Sequence, residues 1–468
     1  MIRPSTLARN ALLLALALAA RAGAAPAPGA PPPAAAHAGA RMLPDSTWLE
    51  SWQLSNGLKV VTLDIPGCRA VAVTVAYPTG SDDDPPGTPG LARLMAEVEM
   101  TAPAGDTPER SRAEMESLRP LGWSLKTNPR AIQLSEVATR EQFPGVLHQV
   151  AGRMRGVSVT PEALKPALAS VRRDVGEHLL GNPDDALYYQ SRAYAAGEGE
   201  KDVIDQAGAR ALAGIDARTL GERMRATFVP AGAVLALAGG LEGFNVHALV
   251  ENQFAGLPAG APPARAADPA GAGFHPSVRS VARDDIHRPI GVIGVRAPAL
   301  SDSLHPRFFL SMLVMGEFCH QSWAPVPPVS TRFRYSILDE PDLVRFYPAT
   351  APETTDAGAL GRELRQTLGA LNAMVVLANE YQGYRYGVLW LLGGPMTKRV
   401  LAQVRSDGAA LNNLCNNLAA RELTGGEAFW SRYRVRFLEP VEPGMSDWAR
   451  WVCLPEHQVA LLFTPQRK

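Results

Sequence analysis

The chain has 468 residues, enough for two or more domains, and 46% of them are hydrophobic against 20% charged, the balance of a soluble globular protein. Its 46 lysines and arginines equal its 46 aspartates and glutamates, so no global field draws it to nucleic acid or to an anionic membrane. The four cysteines, Cys68, Cys319, Cys415 and Cys453, are scattered without CxxC spacing, which excludes a thiolate zinc site and leaves any disulfide pairing open.

The first stretch reads as a targeting segment. Arg3 and Arg9 give a positive start, residues 11–20 (ALLLALALAA) form a short apolar run, and Ala22-Gly23-Ala24 fits a small-residue cleavage site. The run is too short for a stable transmembrane helix. Residues 1–25 are therefore expected to be a signal peptide, and 26–49 a Pro/Ala-rich linker. The mature protein is expected to be periplasmic or secreted, with no membrane span after cleavage.

Along the rest of the chain, apolar patterning predicts a hairpin at 58–77, helices at 89–100 and 107–119, and a second hairpin at 122–138. Helices follow at 141–155, 161–180, 183–195 and 216–227, then a strand at 232–238 and a helix at 245–254. A Pro/Ala/Gly-rich stretch over 257–274 reads as an interdomain linker. Beyond it, the strand Ile290–Val295, the acidic turn at 301–306 and the helix from Phe308 repeat the order seen at Ala70–Ala76, 79–90 and 89–100. A pattern recurring at half the chain length points to duplication. The expectation is α+β: two similar domains, 50–256 and 275–468, each a mostly antiparallel sheet with helices packed on one face.

Five segments, in order, resemble the insulinase/pitrilysin family of zinc peptidases, in its short bacterial, processing-peptidase-like branch. Residues 55–63 (SNGLKVVTL) are similar to its opening NGL strand, and 80–95 (GSDDDPPGTPGLARLM) to the stretch entering its metal helix. Residues 121–137 (LGWSLKTNPRAIQLSEV) resemble its LGG hairpin, and 228–238 (FVPAGAVLALA) with 253–258 (QFAGLP) its closing segment. The family's chemistry rests on H-x-x-E-H: two imidazoles at i and i+4 bind zinc, and the glutamate serves as general base. The resemblance puts the first imidazole position at Arg93, the base at Ala96, the second imidazole at Glu97, and the third ligand at or near Asp174. Neither imidazole nor the base is present, so no catalytic residue, metal or other cofactor is expected here.

Arg93 and Glu97, spaced i,i+4, share a helix face, and the expectation is an arginine bridging Glu97 and Asp174 in place of the metal. The competing reading is a solvated, unconnected pair. A displaced zinc site is a further alternative, because Asp174, Glu177 and His178 spell D-x-x-E-H. For peptide contacts, the resemblance points to Lys126 on the hairpin and to Tyr335, with Pro328, Arg332 or Arg334 at the partner position. The family also works in pairs, which implies a heterodimer with a zinc-bearing homologous subunit around an unfolded peptide. The alternatives are an autonomous zinc metalloendopeptidase with a non-standard site and a stand-alone peptide-binding pseudoenzyme.

Overall fold

Strand β4 (Ala70–Tyr77) alternates large and small side chains. Val71, Val73 and Val75 point to one face of its sheet, and Ala72, Thr74 and Ala76 to the other. In the computed structural model this alternation sets the layering of the molecule. The structure describes residues 40–466 apart from 86–87, 89, 105–121, 176–180, 198–211, 213, 262–272, 321–331, 349, 351–352, 366–387 and 440–444. The expected signal peptide, most of both linkers, and the helix at 107–119 lie outside the described residues.

The first sheet contains β1 (Arg41–Met42), β2 (Trp48–Gln53), β3 (Lys59–Asp64), β4, β5 (Trp123–Thr127), β6 (Ile132–Thr139) and β7 (Val234–Gly239). Their spatial order is β1-β2-β3-β7-β4-β6-β5. Two corrections to the sequence reading follow. Residues 41–49, assigned to the linker, form β1 and the start of β2. The segment 58–77 is not a hairpin, because β7 lies between β3 and β4, parallel to the first and antiparallel to the second. Every residue of β7 is buried, so the strand needs neighbours on both edges and cover on both faces. By contrast β5 and β6 pair directly, as the 122–138 hairpin reading required.

The second sheet contains β8 (Ser277–Arg283), β9 (Ile290–Arg296), β10 (Arg332–Ser336), β11 (Glu340–Tyr347) and β12 (Gln458–Pro465), ordered β10-β11-β9-β12-β8. The last strand again inserts parallel to the first and antiparallel to the second. Thus β8, β12, β9, β11 and β10 repeat β3, β7, β4, β6 and β5, and the duplication holds at the level of strand order. The two sheets with their helices make two α+β domains.

The first half's helices are α1 (Leu91–Thr101), α2 (Phe143–Arg155), α3 (Pro161–Val175), α4 (Pro183–Ala195), α5 (Ala217–Thr227) and α6 (Val246–Phe254). The second half has α7 (His305–His320), α8 (Lys398–Ser406), α9 (Gly408–Leu423), α10 (Gly426–Leu438) and α11 (Met445–Cys453). Leu94 and Val98 of α1, Phe143 of α2 and Phe254 of α6 pack on the valine face of the first sheet. Its small-residue face is covered by α9 of the second half, through Leu411, Leu414, Cys415 and Leu418. Alanines there let the helix approach closely: the Cys415 thiol lies 3.4 Å from the Ala72 carbonyl and 3.3 Å from that of Ala236. The exchange is reciprocal, since Ala186, Leu187 and Tyr194 of α4 pack on Val292, Leu461 and Phe463 of the second sheet. The break at 257–274 therefore separates the sheets but not the helices. Cys68, Cys415 and Cys453 are free thiols.

Two local devices hold the NGL turn and the start of α1. Asn56 donates to the Phe254 carbonyl at 2.7 Å and accepts from the Leu58 amide, while Gly57 takes φ +88°, so the NGL turn is tied to the end of α6. The Asp84 carboxylate accepts from the Gly90 and Ala92 amides, both at 2.7 Å, and so caps α1. Its burial nevertheless outweighs those bonds and raises its pKa to about 7.

Candidate functional site

The expected metal-ligand positions fall on α1 and at the end of α3, which pack against each other beside β5, the end strand of the first sheet among the described residues. Arg93 Nη2 lies 2.5 Å from Asp174 Oδ2, and its Nη1 donates to the Leu125 carbonyl of β5 at 3.4 Å. Both side chains are a little over a quarter exposed. Arg93 and Asp174, which the resemblance assigns to the first-imidazole and third-ligand positions, therefore meet. Glu97 is not among the ion-pair partners of Arg93 and is only 3% exposed, so the expected bridge has one carboxylate rather than two. Ala96, at the position of the base, is fully buried in the first-half core.

This donor set does not fit zinc. A guanidinium is charged at every accessible pH and has no lone pair for a metal. Here it also takes up the Asp174 carboxylate, which a metal would have to compete for. Of the alternative set, Asp174 is already committed to Arg93, and Glu177 and His178 lie outside the described residues. Among the described residues no group of three His, Cys, Asp or Glu side chains is arranged to hold a metal.

The candidate peptide contacts have other partners. Lys126 Nζ reaches Asp339 Oδ2 in the β10–β11 turn at 2.7 Å, and Asn128 Nδ2 reaches Oδ1 of the same residue at 3.3 Å. The end of the β5 hairpin is thereby tied to the second half. Tyr335, expected as a peptide contact, instead packs its ring against Phe308 and Phe309. Its hydroxyl donates to the Pro341 carbonyl at 2.9 Å and lies 3.0 Å from His305 Nε2, while His305 Nδ1 lies 2.7 Å from the Tyr433 hydroxyl. With Tyr335 giving its proton to Pro341, Nε2 must donate and Nδ1 must accept from Tyr433. Burial pushes His305 down to about 4, so the ring is neutral. Arg332 pairs with Asp184 at 2.5 Å, and Pro328 lies outside the described residues.

Between the halves runs an ionic seam that sequence reading did not find. Arg192 of α4 reaches Asp342 at 2.8 Å, Asp82 of the acidic turn at 2.7 Å and Glu340 at 3.4 Å. Arg345, 1% exposed, holds Glu340 with both terminal nitrogens at 2.5 and 2.9 Å and donates from Nε to Ser191. The Tyr188 ring lies between the guanidinium groups of Arg334 (3.8 Å) and Arg345 (4.0 Å). No local spacing signals the contacts of Arg192, Ser191 and Tyr188 across the seam, because those partners are more than a hundred residues apart.

On α1 itself, Glu99 is 1% exposed and its Oε1 has no hydrogen-bond partner among the described residues. Burial raises its pKa to about 8, against the pull of Arg153, which is itself hydrogen-bonded to Glu136. Glu99 is thus protonated at neutral pH.

No family model matches the sequence, and no curated protein matches it. Solved structures do match in fold. A protease from Helicobacter pylori superposes with a TM-score of 0.68 at 15% identity, over 89% of this chain and 99% of that one. A putative M16-like peptidase from Alicyclobacillus acidocaldarius gives 0.65 at 15% identity, over 91% and 100%. Pitrilysin gives 0.60 at 11% identity, over 94% of this chain and 47% of its own. The chain has the fold of the M16-like, insulinase-family peptidases. It spans about half the length of pitrilysin. No described helix is long and apolar enough to cross a membrane.

Proposed function

We propose that the chain is the non-catalytic subunit of an insulinase-type zinc metallopeptidase, closing a peptide-binding chamber together with a zinc-bearing homologous partner in the periplasm. The observation that supports this reading is the ion pair of Arg93 with Asp174, since the resemblance assigns an imidazole to the position of Arg93. Chemistry then resides in the partner, and this chain supplies wall. An autonomous zinc site on Asp174, Glu177 and His178 is disfavoured, because it must first break the Arg93 ion pair.

The test is co-expression of the full chain with a homologue carrying intact H-x-x-E-H, followed by metal analysis and a peptidase assay on each chain and on the mixture. The expected result is a complex whose zinc and activity depend on the partner alone, with activity raised by this chain. Stoichiometric zinc and peptidase activity in this chain by itself would overturn the proposal.

A further inference from the structure

Strand β8 ends the second sheet on the side away from β10. It pairs with β12 in unbroken register, from Ser277 opposite Val459 to Arg283 opposite Pro465, and no described strand lies on its other side. Val278 is 62% exposed, and Arg279, Ser280 and Ala282 are exposed with it. Such an edge presents backbone N–H and C=O groups to whatever strand can reach them.

The other end strands among the described residues carry features that blunt an edge. β1 has two residues, β10 shifts register between Arg334 and Ser336, and β5 already gives its Leu125 carbonyl to Arg93. β8 has no proline, no lysine and no bulge. The duplication shows what this edge takes. β8 repeats β3, whose outer edge is covered by the antiparallel strand β2, from Trp48 opposite Asp64 to Gln53 opposite Lys59. No described strand does the same for β8.

Side chains alternate along β8 between two faces. On the face packed against α4, Arg279 lies over the Tyr194 ring at 5.6 Å and Arg283 over Phe463 at 4.9 Å, with Val281 between them. Arg283 is taken by Asp285 at 2.5 Å, whereas Arg279 makes no ion pair among the described residues. On the other face, the Ser280 hydroxyl accepts from the Ala357 amide and Val278 stands in solvent.

We propose that β8 is a docking edge for an extended segment of another protein, which adds antiparallel as β2 does to β3 and sets a carboxylate opposite Arg279 and an apolar side chain opposite Val278. The backbone ladder holds the segment, and the two side-chain contacts select it. A second copy of the chain fits less well. Two β8 strands paired about Ser280 set Arg279 opposite Val281 and give it no carboxylate, and pairing about Arg279 brings the two guanidinium groups together.

The experiment uses the purified full chain and three dye-labelled heptapeptides. The first is Thr-Val-Thr-Val-Glu-Val-Thr, the second has Lys in place of Glu, and the third has Pro-Pro in place of its third and fourth residues, which interrupts the ladder on either edge. The first is expected to bind once per chain, with the other two about tenfold weaker or worse. Hydrogen exchange is expected to slow in 277–283 and to stay unchanged in β5 and β10. Arg279→Glu, an exposed change, should reverse the preference so that the Lys peptide binds tighter. Equal binding of the Glu and Lys peptides, undiminished binding of the Pro-Pro form, protection at β5 or β10 instead of β8, or no saturable binding would each overturn the proposal. So would a dimer of the chain that itself protects 277–283. None of these outcomes depends on a zinc-bearing partner.

Discussion

The guanidinium of Arg93 lies 2.5 Å from the carboxylate of Asp174, across 81 residues of sequence, with a second hydrogen bond to the β5 edge at Leu125. Arg93 thus brings its cation to Asp174 at the positions that the resemblance assigns to metal ligands. The pair is partly exposed, so Arg93→Ala is expected to cost no more than about 1 kcal/mol, falling further at high salt. Urea denaturation at two salt concentrations measures this.

Rebuilding the motif is expected to fail at Ala96. That side chain is fully buried, and Ala96→Glu forces a longer, ionisable chain into packed core at a cost of at least about 2 kcal/mol. A variant combining Arg93→His, Ala96→Glu and Glu97→His should therefore melt well below the parent protein. Native-like melting together with stoichiometric zinc would show that the buried face of α1 has been misjudged.

Glu99 gives the pH dependence a sign. Its pKa rises from 4.5 to about 8 on folding, so the folded chain holds a proton that the unfolded chain releases. The associated stability is fully present below pH 4.5 and is lost as pH rises to 8. Glu99→Gln mimics the neutral acid. It should leave stability nearly unchanged at pH 5 and raise it by a few kcal/mol, on the order of 3, above pH 8. Melting temperatures of both proteins from pH 5 to 9 test the divergence; parallel curves would exclude it.

Arg345 and Glu340 are 1% and 3% exposed and serve each other. Removing one partner strands a buried charge, so Arg345→Ala is expected to destabilise by about 3–5 kcal/mol. Replacing both, as Arg345→Met with Glu340→Leu, should cost clearly less than the single change. A double-mutant cycle in urea measures the coupling.

The tie between Lys126 and Asp339 is expected to be asymmetric. Lys126 is more exposed, and Lys126→Ala should cost under about 1 kcal/mol. Asp339 also accepts from Asn128 and Ser336, so Asp339→Ala should cost more, and the difference should survive high salt. Equal losses for the two variants would argue that the second and third bonds contribute nothing.

The sequence by itself determined the α+β class and the duplication, which rest on apolar periodicity and on the order of elements along the chain. That α1 stands in the place of a metal helix without imidazoles is what the family resemblance implies. The last strand of the second half, β12, was overlooked there, although its apolar run Val459–Phe463 echoes Val234–Ala238. Only the tertiary structure decided that β7 parts β3 from β4 and that α4 and α9 cross to the other half's sheet. It also decided that Ala96 and Tyr335 face the core and that Arg93 pairs with Asp174 but not with Glu97. Periodicity records which face of an element is buried, whereas the identity of what buries it comes from contacts between residues far apart in the chain.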